Sequence, residues 1–164
     1  MMAGPLITLW SIRVACVLYF ISIAAWITRK TESMRMVWTI AFIFYLVHVA
    51  AAFHSYHHWS HDAAYEETAR QTAELFGMRW GGGLYFNYLF TVVWAGDVLW
   101  IWLDPAGHRR RPRWISAAIQ TFLAFMFFNA TVVFAEGWVR WLAVILTAGL
   151  GLLWLQARKH ILEK

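Results

Sequence analysis

The chain has one cysteine, Cys16, only three prolines in 164 residues, and few charges, at 14%. A single cysteine excludes an intramolecular disulfide, and with no further cysteine there are no ligands for an iron–sulfur cluster. The shortage of charge is more informative. An ordinary soluble domain is about a quarter charged and about half apolar, whereas this chain is 61% hydrophobic. So short a polypeptide cannot bury that excess in a core of its own, and lipid must cover much of it. Internal repeats and low-complexity tracts are also missing, in keeping with one domain.

The apolar residues lie in runs near the roughly 20 residues that cross a bilayer. Five are expected to span: 6–28, 36–53, 84–103, 114–135 and 138–156. They form a single all-α, polytopic membrane domain over 1–164. The first run is not expected to be a signal peptide, because its positive charges follow the apolar stretch and the stretch is too long.

The net charge of +5 does not imply nucleic acid, because of where the charges lie. Ten of the 14 basic residues occur in three places: Arg29, Lys30 and Arg35 after the first run; Arg109, Arg110, Arg111 and Arg113 after the third; and Arg158, Lys159 and Lys164 after the fifth. With five spans all three lie on one side. The positive-inside rule then puts the N-terminus outside and the C-terminus in the cytoplasm of a bacterial-type inner membrane. Tryptophans fit that frame, with Trp10, Trp59, Trp80 and Trp138 near outer boundaries and Trp26, Trp38, Trp102, Trp114 and Trp154 near inner ones. Trp94 lies deeper and reads as a packing residue.

The segment 54–83 is the one long connection. Asp62 suits an N-cap, Glu66 and Glu67 suit the positive end of a helix, and Gly77 suits its end. Tyr65, Ala69, Thr72, Ala73 and Phe76 recur at helical spacing, which predicts a short amphipathic helix at the outer surface. Gly81-Gly82-Gly83 gives a flexible or tightly turning entry to the third span.

Five of the seven histidines fall between His48 and His61. Imidazole is the commonest protein ligand for transition metals. If the second helix runs on past the bilayer, ~100° per residue places His54, His57, His58 and His61 on one broad face. Glu66 and Glu67 would add carboxylate ligands or acceptors that fix imidazole tautomers. The expected site is therefore a transition-metal centre of iron, copper or zinc. His54-Ser55-Tyr56-His57-His58 also resembles one histidine box of the membrane fatty-acid desaturases and hydroxylases, which bind a pair of irons. Those enzymes spread their histidines over three boxes, and this chain has no second or third, so no activity is carried over.

Haem is the less favoured cofactor. A b-type haem takes histidines from two spans, but the first, third, fourth and fifth runs have none, which leaves His48 as the only intramembrane candidate. Polar residues within spans are costly and so are candidates too. Arg13, Asn87 and Asn129, with Glu136 and Arg140 at the outer end, could line a polar outer cavity, or Asn87 and Asn129 could be simple structural hydrogen bonds. Asp97 is alone in the inner half with Gln120, where it could snorkel toward the cytoplasm or pair with a basic loop residue. Three uses follow: redox or metal-dependent membrane chemistry at the outer face, a non-catalytic accessory subunit of a larger membrane complex, or a metal-ion transporter. Expected partners are the bilayer and other membrane subunits or further copies of the chain.

Overall fold

The computed structural model describes residues 3–28, 34–135 and 137–162. Among them the fold is all-helical, with five helices long and apolar enough to cross a membrane. The spanning elements are α1 (Ala3–Ile27), α2 (Met34–Ser55), α4 (Gly83–Leu103), α6 (Arg113–Phe128, continued by a π turn over Asn129–Val133) and α7 (Trp138–Leu162). Two short helices lie outside the spans, α3 (His61–Phe76) and α5 (Pro105–Arg110). Arg29, Lys30, Glu136 and Lys164 lie outside the described residues.

The long helices need no amphipathic face because lipid surrounds them, but lipid gives their hydroxyl groups no water. Thr8, Ser11 and Ser22 in α1 therefore donate to the carbonyls of Gly4, Ile7 and Leu18, four residues back. Neighbouring spans meet in the order α1, α2, α4, α6, α7, and α7 closes the ring on α1.

The centre of the ring is aromatic. Tyr19, Trp38, Phe42, Tyr45, Phe90, Trp94 and Phe127 are all buried and come from four helices. Tyr19 stacks on Phe127 at 3.7 Å, and Trp38 meets Trp94 at 5.0 Å. Trp94 is fully buried, in keeping with its expected packing role. No described residue of α7 joins this cluster.

At the end of the bundle where α2 finishes, α3 forms as expected but with a different cap. Ser60, not Asp62, is the N-cap, accepting from the backbone N–H of Ala63 at 3.2 Å, and Gly77 ends the helix in the left-handed region at φ 70°. Ala69 and Thr72 of the expected face are buried, while Phe76 is exposed.

The triple glycine is a tight entry, not a flexible one. A Cβ on Gly81 would lie 2.5 Å from the backbone oxygen of Tyr65, so the loop presses directly on α3. Backbone cannot yield as a side chain does, and overpacking costs about 1–3 kcal/mol. Gly81→Ala is expected to destabilise the protein by that amount and to loosen α3. Thermal unfolding in detergent, with hydrogen exchange over 61–76, checks this, and an unchanged melting temperature would contradict the close approach.

Candidate functional site

The histidine-rich end does not adopt the continuous helix that the sequence suggested. α2 stops at Ser55, and His58 and Trp59 have φ of 47° and 60°. This is a left-handed turn, closed by Trp59 N–H to the Phe53 carbonyl at 3.0 Å and Ser60 N–H to the His57 carbonyl at 2.8 Å. α2 thus ends before His57, so the premise of one broad helical face for His54, His57, His58 and His61 is corrected.

The four imidazoles have different surroundings. His54 and His58 are exposed. His57 lies edge-on to Phe53, with ring centres 5.5 Å apart. His61 opens α3, with Nδ1 3.0 Å from the Tyr88 hydroxyl and its ring near Tyr65 and Tyr85.

An open groove of about 790 Å³ separates the end of α2 from α3, and His57, Glu66 and Glu67 all line it. The carboxylates there are already paired. Arg79 pairs with Glu66. Arg70 grips Glu67 through Nη2 at 2.6 Å and Nε at 2.9 Å, and Gln71 adds a donor at 2.9 Å. The Arg70 guanidinium holds the Glu67 carboxyl below its ordinary range. Among the described residues, no group of three or more His, Cys, Asp or Glu side chains gathers as a metal site would.

His48 ties two helices together. Its Nδ1 is 2.8 Å from the Thr8 carbonyl oxygen. A carbonyl can only accept, so the proton is on Nδ1 and only Nε2 is left for a ligand.

Among the described residues, other polar groups expected at the outer end bond to backbone nearby. Asn129 donates to the Phe125 carbonyl at 2.8 Å within its own helix. Thr91 donates to the Asn87 carbonyl at 2.9 Å, so Tyr45 is the donor in its 2.7 Å bond to Thr91. Arg140 caps the π turn through the carbonyls of Ala135 and Val133.

The densest buried polar cluster is at the opposite, arginine-rich end, around Asp97. Asp97 is 4% exposed, and three segments bring donors to it. Trp38 of α2 gives Nε1–H at 3.0 Å, His108 of α5 approaches with Nε2 at 3.2 Å, and Arg111 forms an ion pair. Arg111 also donates through Nε to Ser116 of α6 at 2.8 Å and lies near the Trp100 ring. Asp104 starts the return of the chain, accepting from Gly107 N–H at 2.8 Å as the N-cap of α5. Beside the cluster is a narrow cavity of about 60 Å³, lined by Ser22, Trp38, Asp97, His108, Arg111 and Gln120 among others. That is room for a few waters, and the Gln120 Oε1 is buried with no hydrogen-bond partner among the described residues.

Sequence reasoning allowed Asp97 a basic loop partner but did not identify Arg111, His108 or Trp38. The available signal was a lone acid two turns from a helix end, followed by Pro105, Gly107 and an arginine run. Trp38, expected at the membrane boundary, is instead buried as a donor.

No family model matches the chain, and no characterised protein or solved structure is detectably similar to it.

Chemically the Asp97 cluster is a lock. A carboxylate that holds an arginine and two further donors is compensated, and it ties α2, α4, α5 and the start of α6. Removing one member of a buried ion pair leaves the other uncompensated, at a cost of about 3–5 kcal/mol. Asp97→Asn is expected to destabilise by that order, and Asp97→Asn with Arg111→Met by clearly less than the sum of the two single changes. A double-mutant cycle on unfolding in detergent measures this. Additive effects would show that the two residues do not work as a pair.

Proposed function

We propose that this chain is a non-catalytic helical subunit of a larger membrane assembly, with its arginine-rich end in the cytoplasm. One observation carries the reading: the ionisable side chains best placed for chemistry are already committed to partners within the chain. Asp97 holds Arg111 and His108, Glu66 holds Arg79, Glu67 holds Arg70, His48 holds the Thr8 carbonyl, and His61 faces Tyr88. A catalytic centre or an ion path needs groups free to exchange partners, whereas the Asp97, His48 and His61 contacts join one helix or loop to another and the glutamate pairs hold α3 and the loop after it. The packing of α7 agrees, since only 6% of its apolar window is buried, against 28% for α1. Trp141, Ile145, Leu152 and Leu155 leave an apolar flank of that helix exposed.

The expected outcome is co-purification of unlike subunits after mild extraction from native membranes. Native mass spectrometry should show an assembly heavier than the 19.1 kDa chain, intact after His57→Ala and His58→Ala. A lone 19.1 kDa species in every mild detergent and in native nanodiscs would end the proposal.

A second reading keeps a transition metal, iron, copper or zinc, at the histidine-rich end for redox or other metal-dependent membrane chemistry. It is favoured by the single groove that His57, Glu66 and Glu67 share, with exposed His54 and His58 in the adjoining turn. A metal ion there would take the carboxylates from Arg70 and Arg79. This reading expects near-stoichiometric metal in the purified protein, lost with His57→Ala and His58→Ala. Metal analysis showing far less than one equivalent in both forms rejects it.

A further inference from the structure

We propose that Arg13, between the indole rings of Trp10 and Trp138, binds the phosphate of a phospholipid from the leaflet on the histidine-rich side of the bundle. Arg13 lies ten residues after Ala3, the first residue of α1, so its Cα is about 15 Å along the helix, well inside a hydrocarbon layer about 30 Å thick. Its guanidinium carbon is 5.1 Å from the Trp10 ring centre and 5.2 Å from that of Trp138. Trp10 is one turn nearer the end of α1, and Trp138 opens α7 at that same end, so the side chain reaches toward the headgroups.

Two aromatic faces attract a cation but accept no hydrogen bond in the plane of its donors. The Arg13 Nε is buried and has no hydrogen-bond partner among the described residues. The other buried charges are treated differently: Arg111 meets Asp97, and Arg140 meets two backbone carbonyls. The unpaired Nε and the charge beside it call for an acidic acceptor, and the planar fork of a guanidinium matches the oxygens of a phosphate.

The surroundings favour a lipid. Trp10 and Trp138 are 58% and 62% exposed, and Leu6 and Leu9 beside them are exposed too. The clamp therefore opens on lipid, and the anion that lipid offers is the phosphodiester at the headgroup level above the acyl chains. Acyl chains would lie along the apolar flank of α1 while the phosphate reached down to the guanidinium, as snorkelling arginines achieve elsewhere in membranes.

Native mass spectrometry of the full chain in maltoside detergent tests this with dioleoyl phosphatidylglycerol, with uncharged dioleoylglycerol, and with millimolar inorganic phosphate as competitor. Wild type and Glu136→Gln are expected to retain a phosphatidylglycerol that Arg13→Gln loses by about tenfold or more, the scale of a charge-assisted hydrogen bond. Arg13→Lys, which keeps the charge and loses the fork, should fall between them. If Arg13→Gln does not elute as folded protein, Trp10→Leu with Trp138→Leu carries the test, and weakened retention is again expected. Equal retention by wild type and the clamp variants overturns the proposal. So does retention of dioleoylglycerol as tight as that of phosphatidylglycerol, displacement of the lipid by inorganic phosphate, loss of the lipid in Glu136→Gln, or a co-purified membrane protein that takes the lipid's place at Arg13.

Discussion

A carboxylate inside an apolar helix has to find its donors within the protein, because the bilayer supplies none, and this constraint on Asp97 shapes the arginine-rich half of the molecule. Trp38 fixes the rotation of α2 against α4 through its indole N–H. Arg111 and His108 can reach the same carboxylate only if the chain after Leu103 turns back, and Asp104 and Pro105 build the short helix that turns it. Ser116, bonded to Arg111, brings the first turn of α6 into the same arrangement. One acid thus sets the relative positions of three spans and a loop. A neutral residue at 97 would leave the loop held by the Asp104 cap, the Arg111–Ser116 bond and the packing of His108 and Arg111 on Trp100.

The aromatic centre meets a related constraint. Between helices in lipid, burial of apolar surface gives little net drive, so close packing and polar contacts must hold the bundle. Broad rings suit that task, since each touches several neighbours at once and prefers particular geometries. Trp94 touches Tyr19, Trp38, Phe42, Tyr45, Phe90 and Phe127. The Tyr45 hydroxyl then continues the contact into hydrogen bonding on α4 through Thr91. A ladder of leucines would fill the same space without fixing the rotation of each helix.

These two features explain which parts of the structure are legible in the sequence. Span number and bounds follow from length and hydropathy alone, and the structure shifts them by only a few residues: 36–53 becomes Met34–Ser55, and 84–103 becomes Gly83–Leu103. The surface helix was legible because Gly77 and the Ala69–Thr72 face are local signals. The arrangement of the histidines was not. Helical spacing assumes that α2 continues, and neither glycine nor proline marks the left-handed turn at His58 and Trp59, which is closed by hydrogen bonds to the Phe53 and His57 carbonyls. Trp38 as a partner of Asp97 was hidden for a different reason, since it is 59 residues away in sequence.

Arginine placement shows how one side chain meets different needs in this chain. Arg70 and Arg79 pair with glutamates at the surface, where such contacts are worth about 1 kcal/mol or less and mainly hold side chains in place. Arg111 enters the bundle and is matched by a buried carboxylate, so the pair becomes architectural. Arg140 uses backbone carbonyls to end a π turn that has run out of helical partners. Arg13 stands apart from these, because its contacts are aromatic and its surroundings open on lipid. The protein therefore neutralises charge internally where helices meet one another. At Arg13, on the rim where α1 and α7 meet lipid, the same physical demand is directed outward to the membrane itself.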